Sequence, residues 1–278
     1  MEIPPSVINI IYSALEEDIG QGDVTTNLLI PEDRKSKAHC IAKENFVLAG
    51  LPFVREVFRI LDPSILIKTL YNDGSKVKKG NIIAEISGKT CVILKGERVS
   101  LNILQRLSGI ATLTNRYVEK TRGLKAKIVD TRKTTPCHRF MEKYAVKVGG
   151  GYNHRFGLFD GILIKDNHIK TLGNIKKAVR EAKKGHHLFK IEVEVKNLKE
   201  LKEAIESGAD IIMLDNMSVR DMKEAVKIAK GRVMLEASGN ISLENVREVA
   251  ETGVDLISVG ALTHSAPAVD ISLKTSLY

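Results

Sequence analysis

Nowhere in the 278 residues does an apolar run reach the length of a membrane span. No membrane partner is expected. Met1 to Ser13 offers Glu2 and two prolines where a secretory leader has a basic start and an apolar centre, so it does not read as one. Cysteine is scarce. Cys40, Cys91 and Cys137 are odd in number, widely spaced, and form neither a CxxC pair nor a metal-ligand pattern. A reduced, cytoplasmic compartment is the expectation. There is no zinc knuckle, RNA-binding signature or basic low-complexity tail. Only charge argues for nucleic acid, and no nucleic-acid partner is expected.

What is present is a globular composition. Hydrophobic residues make up 43%, enough to core one barrel or a barrel with a smaller domain. Lys and Arg number 43 against 34 Asp and Glu, a formal net charge of +9. Most of that excess reads as solvated surface, and part as a face for an anionic ligand.

The first hundred residues are mixed. Val7, Ile8, Ile11 and Leu15 space a helix over Pro5 to Glu17, and a second helix is expected around Phe53 to Leu61. Lys37 to Lys43 and Ile65 to Leu70 read as strands. Ile82 to Ile86 and Thr90 to Leu94 read as a hairpin turning at Ser87-Gly88-Lys89. A long helix follows over Glu97 to Arg122, with Gly109 as a point of interruption. Beyond Gly123, strands expected at Lys127–Asp130, Gly161–Lys165, Lys190–Val195, Asp210–Leu214, Arg232–Glu236 and Asp255–Val259 alternate with helices, among them Leu198–Ser207, Val219–Ala229 and Leu243–Thr252. Such alternation builds right-handed βαβ units and a parallel sheet. The spacing favours a barrel, although six strands fall short of the eight of a closed one. The expected domains are 1–108, rejoined by 268–278, and 109–267.

Polar groups collect at the carboxyl ends of those strands, where parallel barrels build their sites. They are Asp130-Thr131-Arg132-Lys133, Lys165-Asp166-Asn167, Glu192 and Glu194, Asp215-Asn216, Glu236 to Asn240, and Gly260-Ala261 with His264 beyond. Glu194 and Asp215 are candidates for a magnesium ion or ribose hydroxyls; internal salt bridges are the plainer alternative. Ser238-Gly239-Asn240 and Gly260-Ala261 each lie between a strand and a helix, a pattern suited to phosphate. Arg139, Lys143, the triple glycine 149–151 and Asn153-His154-Arg155 suggest a flexible loop carrying basic groups over an anion. Arg can hold carboxylate or phosphate bidentately, whereas Lys cannot.

A family pattern runs through these residues. Its parts are Glu17 to Thr26, Glu97-Arg98 with Leu101-Asn102, Leu107 to Thr112, Asp130 to Pro136, Lys143-Tyr144-Ala145, Gly149 to Gly151, Asn153 to Arg155, Leu163 to His168, Glu192 to Glu194, Leu214 to Asn216, Glu236 to Gly239 and Val259 to His264. In this order and over nearly the whole chain, it resembles the quinolinate phosphoribosyltransferases. The resemblance implies an N-terminal α/β sandwich and an open, incomplete α/β barrel. It implies pentosyl transfer from phosphoribosyl pyrophosphate to quinolinate in NAD biosynthesis, with Mg2+, in a homodimer or homohexamer. Residue by residue, Arg98 would reach in from a neighbouring subunit. Arg132, His154 and Arg155 would grip the quinolinate carboxylates, beside Thr131 and Lys133. Lys165 would meet substrate or pyrophosphate, and Glu194 and Asp215 would serve ribose and magnesium. Ser238, Gly239, Asn240, Val259, Gly260, Ala261 and His264 would hold the 5′-phosphate. Two departures stand out: Cys137-His138 where the family has Gly-Leu, and Lys147 where Arg is usual. Rival readings are a Schiff-base lyase using Lys165, a magnesium-dependent enolising barrel, and a paralogous phosphoribosyltransferase-like protein of molybdenum-transport gene clusters.

Overall fold

The computed structural model describes residues 2–185 and 187–277. The first half of the chain runs α1 (Pro5–Ile19), α2 (Val24–Leu29), β1 (Lys35–Ala42), β2 (Phe46–Val47), α3 (Leu51–Leu61), β3 (Leu66–Thr69), β4 (Lys76–Val77), β5 (Ile82–Lys89), α4 (Thr90–Lys120), β6 (Lys127–Val129) and α5 (Arg139–Val148). The second runs β7 (Ile162–Ile164), α6 (Asp166–Leu172), α7 (Ile175–Ala182), β8 (Ile191–Val195), α8 (Leu198–Ser207), β9 (Ile211–Asp215), α9 (Val219–Ala229), β10 (Met234–Ser238), α10 (Val246–Ala250), β11 (Leu256–Ser258), α11 (Ala261–His264) and β12 (Ile271–Leu277). Among the described residues no helix is long and apolar enough to cross a membrane. Two compact units result: Met1–Asn115 with Thr134–Gly150 and Ser265–Tyr278, and Arg116–Lys133 with Gly151–His264.

In the first unit, alternation in β1 buries Ser36, Ala38, Cys40 and Ala42 on one face. That strand sits between β12 and β5 in a four-stranded sheet ordered β12-β1-β5-β3, so the last residues do return here. Phe58 of α3, Ile83 of β5 and Ile93 of α4 are fully buried in one core. Each contributes roughly 1.5–3 kcal/mol of burial. The hairpin expected at Ser87-Gly88-Lys89 does not form. Gly88 stays in β5, paired with Ser36, and Thr90 opens α4. Burial decides this, because Ile93, Gly96, Ser100, Leu104 and Leu107 are buried at spacings of three and four, a helical stripe. Nor does Gly109 interrupt the helix. It is glycine because a Cβ there would run into the Pro267 carbonyl oxygen.

Within the expected barrel domain, residues 134–150, which carry the basic Arg139 and Lys143 ahead of the triple glycine, are mostly α5 and belong to this first unit. Glu142, 1% exposed in its side chain, is paired with Arg106 of α4 at 2.9 Å and accepts from the Thr135 hydroxyl at 2.8 Å. Lys143 is buried here as well. Gly149 permits the close approach, since a Cβ would stand 2.7 Å from Thr114 Cβ. Cys137 is left-handed, with φ 66°. This explains the glycine usual at that place, because a side chain there costs about 1–2 kcal/mol. Cys137→Gly is expected to raise unfolding stability by about 1 kcal/mol after the entropy of the added glycine is subtracted. Urea denaturation of the two proteins checks this.

The second unit holds all six expected strands, in the order β6-β11-β10-β9-β8-β7 and parallel at every pairing. β6 and β7 are consecutive in the sheet's sequence yet form its two edges. Between them, Tyr152 makes a single parallel bridge to Val129. This is the open, incomplete barrel. Helix starts are capped locally: Asn197 accepts from Lys199 and Glu200 backbone N–H, and Ser218 from Asp221 N–H. α10 is shorter than expected because Ser242 N–H donates to Asn245 Oδ1 at 2.8 Å, closing a turn first.

Candidate active site

Register sets which side chains converge. Glu192 pairs with Leu163 and Ile211, Glu194 with Met213, Met213 with Glu236, and Asp215 with Ser238. Paired residues share a face, and the face repeats every second residue. One side of the sheet therefore gathers Leu163, Lys165, Glu194, Met213, Asp215, Glu236, Ser238, Ser258 and Gly260. These line a cavity of about 690 Å³ together with Thr131, Arg132, Lys133, His154 and Arg155.

Beneath this cavity lies a buried polar cluster. His154 backbone N–H donates to Asp130 Oδ1 at 2.9 Å. Its ring Nδ1 accepts from the Arg155 backbone N–H at 2.8 Å, so the neutral ring carries its proton on Nε2. That nitrogen faces Glu192 Oε2 at 3.0 Å and Glu236 Oε2 at 3.6 Å. The ring nitrogens are thus both engaged within the protein. Glu236 is fully buried, and neither of its oxygens has a hydrogen-bond partner among the described residues. Burial, and then the Glu192 carboxylate, push its carboxyl up to about 7. His154, Glu192 and Glu236 bring ligand atoms within 4.8 Å of one another.

Above the cluster the groups are basic. Arg155 Nη1 donates to the Gly161 carbonyl at 2.9 Å, which fixes the guanidinium. Its buried Nε–H has no partner among the described residues. Burial and the neighbouring Arg132 lower its proton affinity. An anion between the two guanidiniums would relieve both penalties. Lys165 Nζ pairs with Glu194 Oε2 at 2.9 Å. Gly260 leaves room for Lys133 and His264, whose side chains would lie 3.1 and 3.2 Å from a Cβ there. The backbone N–H groups of Gly239, Asn240, Gly260 and Ala261 donate to no acceptor among the described residues. The helix expected directly behind Asn240 starts only at Val246, and residues 238–241 line the cavity as a turn. Donors without acceptors, set beside lysines, suit a phosphate.

Family models match over both parts of the chain: "Quinolinate phosphoribosyl transferase, N-terminal domain" over residues 23–108, and the C-terminal domain of the same family over 110–274. The chain belongs to the quinolinate phosphoribosyltransferase family. A solved nicotinate-nucleotide pyrophosphorylase from Francisella tularensis is 47% identical, with TM-score 0.95 over 99% of this chain and 98% of that one. The structure of NadC from Streptococcus pyogenes is 41% identical, with TM-score 0.96 over 100% and 99%. The quinolinate phosphoribosyltransferase (decarboxylating) 2a of Nicotiana tabacum is 43% identical over 95% of this chain and 81% of its own.

Of the family positions expected to act, Thr131, Arg132, Lys133, His154, Arg155, Lys165, Glu194, Asp215, Ser238, Gly239, Asn240, Val259, Gly260, Ala261 and His264 all line the one cavity. Arg98 does not. It is exposed on α4 in the first unit, lining a groove of about 680 Å³ with Arg106, Val99 and Leu107. Glu236 and Asn216 also line the cavity without having been assigned a part there. Period-two spacing was the available signal for Glu236, which stands two residues before Ser238 on the same face.

Proposed function

We propose that this cavity joins quinolinate to the phosphoribosyl group of phosphoribosyl pyrophosphate, yielding nicotinate mononucleotide, pyrophosphate and carbon dioxide in NAD biosynthesis. One observation carries the reading: neighbouring guanidiniums and unsatisfied backbone amides line one cavity. Arg132 and Arg155 take the two carboxylates. His154 acts through Arg155, holding its backbone by Nδ1, rather than by gripping a carboxylate itself. Ser238 to Asn240, Val259 to Ala261 and His264 take the 5′-phosphate. Lys133 and Lys165 place positive charge where the C1–O bond to pyrophosphate breaks. The pyridine nitrogen attacks C1. Its new positive charge draws in the electron pair left as the adjacent carboxylate departs as carbon dioxide, and that ring carbon takes up a proton from solvent water. Positioning and electrostatics suffice, with no protein nucleophile.

The residues also fit a magnesium ion. Glu194 and Asp215 face the cavity from adjacent strands, and magnesium takes one or two carboxylates with water and phosphate oxygens completing its shell. Bound there, the ion would neutralise the departing pyrophosphate. Self-association as a homodimer or homohexamer, with Arg98 entering a neighbour's cavity, belongs to the same proposal; the exposure of Arg98 outside the cavity lining supports it. Three free thiols, Cys40, Cys91 and Cys137, suit a cytoplasmic setting. The test is incubation with quinolinate, phosphoribosyl pyrophosphate and Mg2+, following nicotinate mononucleotide by chromatography. Product from quinolinate and none from nicotinate is expected. Absence of product from folded protein would overturn the reading and bring forward the paralogous transferase.

A further inference from the structure

Asn216 and Asn240 are both left-handed, at φ 53° and 52°, which is uncommon for residues with side chains. Their amides form a chain. Asn216 Nδ2 donates to Asp215 Oδ1 at 3.0 Å, and Asn240 Nδ2 donates to Asn216 Oδ1 at 3.0 Å. The direction of that chain is determined chemically. A carboxylate only accepts, so Asn216 must turn its NH2 toward Asp215 and its oxygen toward Asn240. Asn240 must then offer its own NH2. The far end is anchored as well: Asn245 Nδ2 donates to the Asn240 carbonyl at 2.9 Å. The Asn216 backbone N–H donates to the Ser238 carbonyl at 2.9 Å. Gly239 makes room for this, because a Cβ there would strike the Asn216 amide.

The chain thus connects a turn with free amides to a carboxylate on the neighbouring strand. We propose that Asn216 is a positioning residue through which the 238–240 turn orients Asp215, so that filling the turn with a phosphate tightens divalent-cation binding at Asp215 and Glu194. This rests on the reading of the turn and the carboxylates given above. By linkage, the cation must tighten phosphate-ester binding by the same factor.

The test measures Mn2+ binding to the intact protein by calorimetry and electron paramagnetic resonance, with and without saturating ribose 5-phosphate. Asn216→Gly and Asn240→Gly remove either amide while keeping a residue that tolerates the left-handed backbone. In the unaltered protein ribose 5-phosphate is expected to tighten Mn2+ by about fivefold, at the low end of measured couplings. In each variant the factor should fall below about twofold, and the double variant should lose no more than either single one, as for members of one network. Asn240 is exposed, so its variant tests the chain even if Asn216→Gly fails to fold. Coupling that persists in a folded variant, or is absent from the unaltered protein although both ligands bind, overturns the inference and leaves the proposed function standing. Failure of the unaltered protein to bind either ligand counts against both.

Discussion

An Arg155→Ala variant is expected to show a KM for quinolinate raised roughly a hundredfold, with the KM for phosphoribosyl pyrophosphate changed less than about threefold. The size follows from losing charge-assisted hydrogen bonds in a half-buried setting, together worth about 3 kcal/mol. The guanidinium is already held by the Gly161 carbonyl, its Nε–H lacks a partner among the described residues, and Arg132 presses on it with like charge. A carboxylate between the two guanidiniums would offset both costs. Arg155→Lys should recover only part of the loss, because an ammonium restores the charge without the planar fork. Steady-state kinetics with each substrate varied in turn distinguishes the cases. An unchanged quinolinate KM would remove Arg155 from the carboxylate end.

The second large effect is on stability. Glu236 has a folded value pushed up to about 7, above the ordinary carboxylate range, by burial and by Glu192. Folded protein therefore holds this proton through a pH range where the unfolded chain has released it. Stability from the protonated group is complete below the unfolded value and is lost as pH rises through 7. Glu236→Gln keeps the shape and cannot ionise. Its stability relative to the unaltered protein should be near parity at pH 5 and improve by roughly 2–3 kcal/mol by pH 8. Urea midpoints at the two pH values report this directly. A difference that does not vary with pH would mean that Glu236 titrates in the folded protein as it does in the unfolded chain.

Local pattern carries a good deal here. α8 and α9 begin and end where apolar spacing puts them, because Asn197 and Ser218 cap them with their own side chains. The strands of the parallel sheet were visible as short apolar runs, and polar residues at their ends announced the cavity. Period-two alternation already placed Glu192 and Glu194 on one face. The resemblance to the family supplied the identity of the ligands, which no spacing could.

Other features depended on residues far apart in sequence. Thr90 to Leu94 is apolar and β-branched enough for a strand, yet burial of Ile93 in the core with Phe58 makes it helix. Arg139 and Lys143 read as part of a basic cluster in the barrel domain, but Glu142 finds Arg106 thirty-six residues away and α5 belongs to the first unit. His154 looks like a carboxylate ligand until Arg155 N–H and Glu192 claim its two nitrogens. The sequence by itself determined which residues alternate, which cap and which carry charge, since these are properties of neighbours along the chain. Only the tertiary structure decided which charges are buried together, because desolvation and the separation of Glu192 from Glu236 exist only once β8 and β10 stand in one sheet.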